Sequence, residues 1–200
     1  MDKLSHGRQL LSSLKATAAA GKATLALPVG HPVSAILRTI PSAPASLDPI
    51  DLQLLSEWRN RFVKSFLTEF LANDERTGKW LNNVVHKDEG KILLMVENLQ
   101  GERVGHIGLG FIDWTTGYGE ADAIVRGGNS PPGLMKEALQ TTLKWAKDQL
   151  GLSTLGVRVR SDNTALDFYR KVGFEEIRRV PLGVTEAPDM ITWFEDPSLK

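Results

Sequence analysis

From Leu155 to Phe174 the chain reads as a strand, a short helix and the start of another strand, and few local conformations other than these suit the residues. Leu155 to Arg160 is an extended apolar and basic run. Asp162 or Asn163 can then cap a helix by accepting from an orphan first-turn amide. Asp167 favours the positive end of that helix, and Arg170 and Lys171 favour its negative end. Gly173 supplies the left-handed residue that stops it.

The segments upstream follow the same rules. Asp48 is an N-cap with Pro49 at the first helical position, and Leu54, Leu55, Trp58, Phe62, Phe66 and Phe70 recur at helical spacing beyond it. Val33–Ile40 reads as a first strand, and the polar stretch 73–90 as a helix with its loops. Lys91–Glu97 and Arg103–Ile112 form a hairpin across residues 98–101, with a second turn at 113–119. Glu120–Val125 is the next strand. Residues 126–133 are a Gly/Pro-rich loop opening onto a helix over Leu134–Leu150, which carries an apolar side and ends at Gly151. Strands are expected near Phe174–Pro181 and Met190–Phe194. An antiparallel meander followed by β-α-β-α-β is an α/β layered fold with a mixed sheet. Residues 1–30, with a short helix over Gln9–Ala20 and no strong apolar stripe, read as an arm, and 31–200 as one domain.

Composition narrows the function. Twenty-four basic residues balance 24 acidic ones in scattered order, which gives no field to hold nucleic acid or an anionic membrane. The partner expected is a small molecule. The absence of cysteine excludes a thiolate metal site and a cysteine-linked acyl intermediate. No signal-like or membrane-spanning run is seen, so the expected location is cytoplasmic.

The stretch Asp162–Phe174, with its Asn at the helix opening, Tyr169 one turn before the helix end and Gly-Phe after it, resembles the late signature of the GNAT N-acyltransferase superfamily. The element order from about Val33 to Phe194 is similar to that family as well. The resemblance implies a GNAT-type mixed, mostly antiparallel central sheet with helices on both faces. It also implies acetyl-CoA as co-substrate, no metal, and room for a homodimer. The family holds the diphosphate of coenzyme A on amides that open the helix after its fourth strand. Here that place is Arg126–Lys136, which departs from the family's pattern: Ser130 stands where a Gln or Arg belongs, Met135 where a small residue belongs, and Pro131 and Pro132 have no N–H. The donors left are Gly133, Leu134, Met135 and Lys136, with Arg126 in reach of a phosphate. Asn163 would contact the pantetheine arm, and an amide near Ile124 or Val125 would polarise the thioester.

Acyl transfer needs a neutral amine and a proton for the leaving thiolate. Tyr169 is the expected donor to, or positioner of, the sulfur. A phenol near 10 against a thiol near 8.5 makes the transfer uphill by about 2 kcal/mol, and the ammonium formed on attack is a rival source. For a base, Glu120 and Asp122 project from one face of their strand, and His106 on the preceding strand is the alternative. Trp58-Arg59-Asn60 resembles an element of GNAT branches that acetylate nucleotide-linked amino sugars or ribosomal protein N-termini, which marks these residues as acceptor-binding. Arg59 and Arg61 could meet phosphates, though two residues apart on a helix they do not share a face. The resemblance implies acetyl transfer to the primary amine of a small acceptor. The alternatives are a protein N-terminal acetyltransferase, a non-catalytic acyl-CoA-binding module and a structural interaction protein.

Overall fold

The computed structural model describes residues 2–21 and 25–199. Six strands form the main sheet in the order β1 (Ala26–Val29), β2 (Ala35–Thr39), β4 (Ile92–Asn98), β5 (Arg103–Asp113), β6 (Tyr118–Arg126) and β7 (Thr154–Gly156). Neighbours are antiparallel except β6 and β7. A smaller sheet joins β3 (Thr68–Glu69), β9 (Met190–Glu195) and β8 (Leu182–Ala187).

The run Ile-Leu-Leu-Met-Val of β4 has no polar face because both sides of the sheet are covered. Ile92, Leu94 and Val96 enter one core with α1 (Lys3–Ala19), α4 (Leu134–Gln149) and α5 (Leu166–Val172). Leu93 and Met95 point the other way, into a core with α2 (Pro49–Arg61) and α3 (Asp74–Trp80), which widens into a π-helical stretch, Leu81–His86. This is the expected two-faced layering. No described helix is long and apolar enough to cross a membrane.

The cap signals hold at α2, where the Asp48 carboxylate accepts from the amides of Ile50 and Asp51, and at Gly173, with φ of 118°. Four expectations need correction. Residues 1–30 are more than an arm: Leu11 and Leu14 of α1 and Val29 of β1 lie in the main core. The apolar spacing after Trp58 outlasts its helix, since α2 stops at Arg61 and Phe66 and Phe70 flank the short strand β3. The Leu155–Arg160 strand shrinks to Thr154–Gly156. No strand forms over 174–181; there Arg179 pairs with Glu176 and Ile177 is 89% exposed, and the strand forms instead at Leu182–Ala187.

Candidate active site

β6 and β7 pair only over Tyr118–Glu120 against Thr154–Gly156, then part. The cause lies on β6, where Ala123 takes φ of 47° and the register with β5 shifts between His106 and Gly108. A bulge of this kind bends and twists its strand away from a neighbour. The parting opens a cavity of about 770 Å³, walled by β6, residues 157–160, α5 and the segment from Phe62 to Ala72.

Tyr169 reaches this cavity from α5, its ring held edge-on by Phe168 at 5.4 Å and Phe174 at 6.1 Å. Burial, assisted by the Asp122 carboxylate, pushes its phenol up to about 12, so it stays protonated. Asp122 also lines the cavity, with Lys91 Nζ on its carboxylate. Its charge acts on Tyr169, His106 and Arg59, which places it at the electrostatic centre of the site.

Glu120 is on the same strand face but is already engaged: it is buried and accepts from the Tyr118 hydroxyl at 2.9 Å and from Arg158 Nε at 2.8 Å. His106 is 5% exposed and stacks on Trp58 with 6.0 Å between centroids. Burial pushes its imidazole down to about 4, against a backbone hydrogen bond at Ala123 and the Asp122 charge. It is therefore neutral near pH 7, and its buried Nδ1 has no hydrogen-bond partner.

Toward the other end of the gap, Ile124, Val125 and Arg126 line the cavity and lead to the start of α4. Gly133, with φ of 89°, turns the chain into this 16-residue helix. Leu134 N–H is taken by the Pro131 carbonyl at 3.2 Å, which removes one of the four expected donors. The amides of Gly133, Met135 and Lys136 make no such bond. Beside them a second cavity of about 220 Å³ is lined by Arg126, Ser130, Lys136 and Lys171, and the buried Ser130 Oγ has no partner. Free amides at a helix N-terminus, three cations and an orphaned hydroxyl suit a diphosphate. The sequence marks Ser130 only as a departure from the family's pattern and Lys171 only as a last-turn cation, and neither reading points to this site.

Asn163 does not cap its helix. Its Oδ1 accepts from Ala165 N at 2.9 Å, α5 begins at Leu166, and Nδ2 donates to the Ser65 carbonyl at 3.0 Å. One Nδ2 hydrogen thus ties the start of α5 to the far wall, and the second is not used by any described residue, while Asn163 lines the cavity where the resemblance implies contact with pantetheine.

Of the three-residue acceptor motif, only Arg59 faces the cavity. Trp58 is 2% exposed, and its ring lies so close to Gly127 that a β-carbon there would sit 2.0 Å away. Asn60 is locked to the backbone of Ala72, donating at 2.9 Å and accepting at 2.7 Å. Arg61 bonds the Gly127 carbonyl. Among the described residues no group of three or more His, Cys, Asp or Glu is placed to hold a metal ion.

Residues 36–175 match the family model for the acetyltransferase (GNAT) domain. Among solved structures, the fold is similar to a spermidine N-acetyltransferase from Vibrio cholerae in complex with CoA and spermine, at 18% identity and TM-score 0.62, over 80% of this chain and 93% of that one. It is similar also to FdhC, a nucleotide-linked sugar GNAT, at 11% identity and TM-score 0.60, over 86% and 90%. A GCN5-related N-acetyltransferase from Brucella melitensis aligns at 17% identity and TM-score 0.55, over 82% and 75%. No curated protein matches at a significant level. With parted strands, three unbonded amides at the start of α4 and a family match spanning well over half its length, the chain belongs to the GNAT acetyltransferase family.

Proposed function

We propose that this GNAT protein moves an acetyl group from acetyl-CoA directly to the primary amine of a small acceptor. The observation that carries this reading is that Tyr169 and the parted edge of β6 line one cavity, while the unbonded amides at the start of α4 lie at a second cavity that shares Arg126, Met135 and Phe168 with the first. The amides of Gly133, Met135 and Lys136, with Ser130, Arg126 and Lys171, would hold the diphosphate. Ile124 and Val125 would flank the pantetheine, and acetyl-CoA supplies an activated acyl group.

The chemistry balances without an acyl-enzyme. The amine nitrogen bonds the acetyl carbon, the carbon–sulfur bond breaks, and the proton lost by nitrogen ends on sulfur. Tyr169 is a poor source for that proton: from about 12 to a thiol near 8.5 is uphill by about 5 kcal/mol. Its phenol instead positions the sulfur with a hydrogen bond while the ammonium supplies the proton. Asp122, Glu120 and the neutral His106 are the cavity groups able to take up or relay it; both carboxylates are ion-paired, Asp122 with Lys91 and Glu120 with Arg158, while His106 has no ion pair among the described residues.

The acceptor is an amino group on a nucleotide-linked sugar or, as the alternative, a protein N-terminus, since the element Trp58-Arg59-Asn60 resembles both branches. Thiol release from acetyl-CoA, measured against amino sugars, nucleotide-sugars and short peptides, tests the proposal. Amine-dependent release is expected. Saturable acetyl-CoA binding with no release on any amine would mark a binding module instead, and no binding at all would remove the whole reading.

A further inference from the structure

We infer that the amine acceptor carries an anionic group, a carboxylate or phosphate, and that Arg59 is the residue that binds it. The inference rests on the acetyl-transfer reading and names the substrate class for that site.

The cavity is lined by six cationic side chains, Arg59, Arg76, Lys91, Arg126, Arg158 and Arg160, against the carboxylates of Glu120 and Asp122. Most of the cations near the acceptor end are already satisfied. Lys91 pairs with Asp122, Arg158 with Glu120 at 2.8 Å, Arg160 with Glu69 at 3.0 Å and Asp162 at 2.8 Å, and Arg76 with Asp189 at 3.2 Å. Arg59 pairs with no carboxylate among the described residues. Its Nη2 donates to Thr68, its buried Nε has no partner, and its Nη1 makes no hydrogen bond.

The surroundings fix it in that state. Trp58 in the core and Asn60 bonded to Ala72 hold the last turn of α2 on either side of Arg59. Its guanidinium packs on the rings of Phe66 at 3.8 Å and Phe70 at 4.5 Å, and Arg76 lies over Phe70 at 4.0 Å. Aromatic rings on a guanidinium cover its faces and leave its in-plane N–H groups for an acceptor. Burial and the charge of Arg76 lower its proton affinity, to about 10, and the Asp122 carboxylate only partly compensates. A half-buried cation without a counterion costs stability, and a bound anion removes that cost. Planar guanidinium edges suit carboxylate and phosphate oxygens alike. A polyamine would bring further positive charge to the same wall, so the chain is expected to differ in acceptor class from the spermidine enzyme whose fold it shares.

The test is kcat/KM by thiol release at saturating acetyl-CoA for matched acceptors: glucosamine 6-phosphate against glucosamine, glycylglycine against glycylglycine amide, and spermidine. At least one anionic member should exceed its neutral partner about tenfold or more, with spermidine poorest. The responding pair tells phosphate from carboxylate. In Arg59→Gln the advantage should vanish, chiefly through KM, with acetyl-CoA affinity by calorimetry unchanged, and Arg59→Lys should restore part of it. Equal rates within both pairs, a preference for spermidine, or an equal loss on both members in Arg59→Gln overturns the inference. If no amine releases thiol, the transfer reading fails by itself. Calorimetric titration of the same pairs then decides: binding of an anionic member that Arg59→Gln abolishes upholds the anion site, and no binding overturns it.

Discussion

Near its N-terminus, α2 buries Asp51 to 1% exposure, where Arg38 meets it with two hydrogen bonds of 2.7 and 2.9 Å and Arg103 Nε with one of 2.6 Å. Glu97 and Asp48 take further contacts of those two arginines, so both guanidinium groups find their carboxylates within the chain. At its C-terminal end the same helix presents Arg59 to two phenylalanines and a threonine, with no carboxylate of its own. The first cluster is complete as folded, while the second is complete only with a ligand. Buried charge therefore serves two purposes on one helix, and the partner list tells them apart where burial alone does not.

Asp51→Ala should give the largest effect, since two half-buried guanidinium groups would lose their shared anion. A loss of about 3–5 kcal/mol in denaturant unfolding is expected, and a loss under about 1 kcal/mol would erase the contrast. Next is the pH response of His106. Its folded value near 4 lies below the ordinary 6.5, so between those limits the unfolded chain binds more protons. Stability should fall as pH drops from 6.5 toward 4, by about 3 kcal/mol in total, and His106→Gln should flatten that part of the curve. A profile identical in wild type and variant would show that this imidazole is not held neutral.

Tyr169→Phe removes a hydroxyl that no described side chain uses. Turnover should drop about ten- to a hundredfold, or about 1.4–2.8 kcal/mol, with acetyl-CoA affinity and melting temperature near wild type. Unchanged turnover would strip the phenol of its role. Smallest is Arg59→Met, which keeps contact with Phe66 and Phe70 and removes the uncompensated charge. Its stability should lie within about 1 kcal/mol of wild type or above it, and a drop as large as that of Asp51→Ala would mean that Arg59 is structural.

The sequence made visible what is local. Asp48-Pro49, Gly173 and the turns at 98–101 and 113–119 each declare a cap or hairpin within a few residues, and Tyr169 and Arg59 stood in recognisable short motifs. What depends on distant partners was hidden. Asp51 looks like an ordinary first-turn acid, because Arg38 and Arg103 lie 13 and 52 residues away. The stripe of α1 is thin, and only the packing of Leu11 and Leu14 into the main core shows that the segment belongs there. Glu120 and Asp122 share a strand face, but Arg158 claims only one of them. Successive residues of a helix diverge by about 100°, so a motif of three neighbours in α2 could present only one to the cavity.

The most direct measurement is an amide chemical-shift titration of labelled protein with coenzyme A. The account predicts saturable shifts concentrated at Gly133, Met135 and Lys136 and at Ile124 and Val125 of β6, with little change around Asp51. Saturable shifts that leave the start of α4 and the edge of β6 untouched, or no binding, would contradict it.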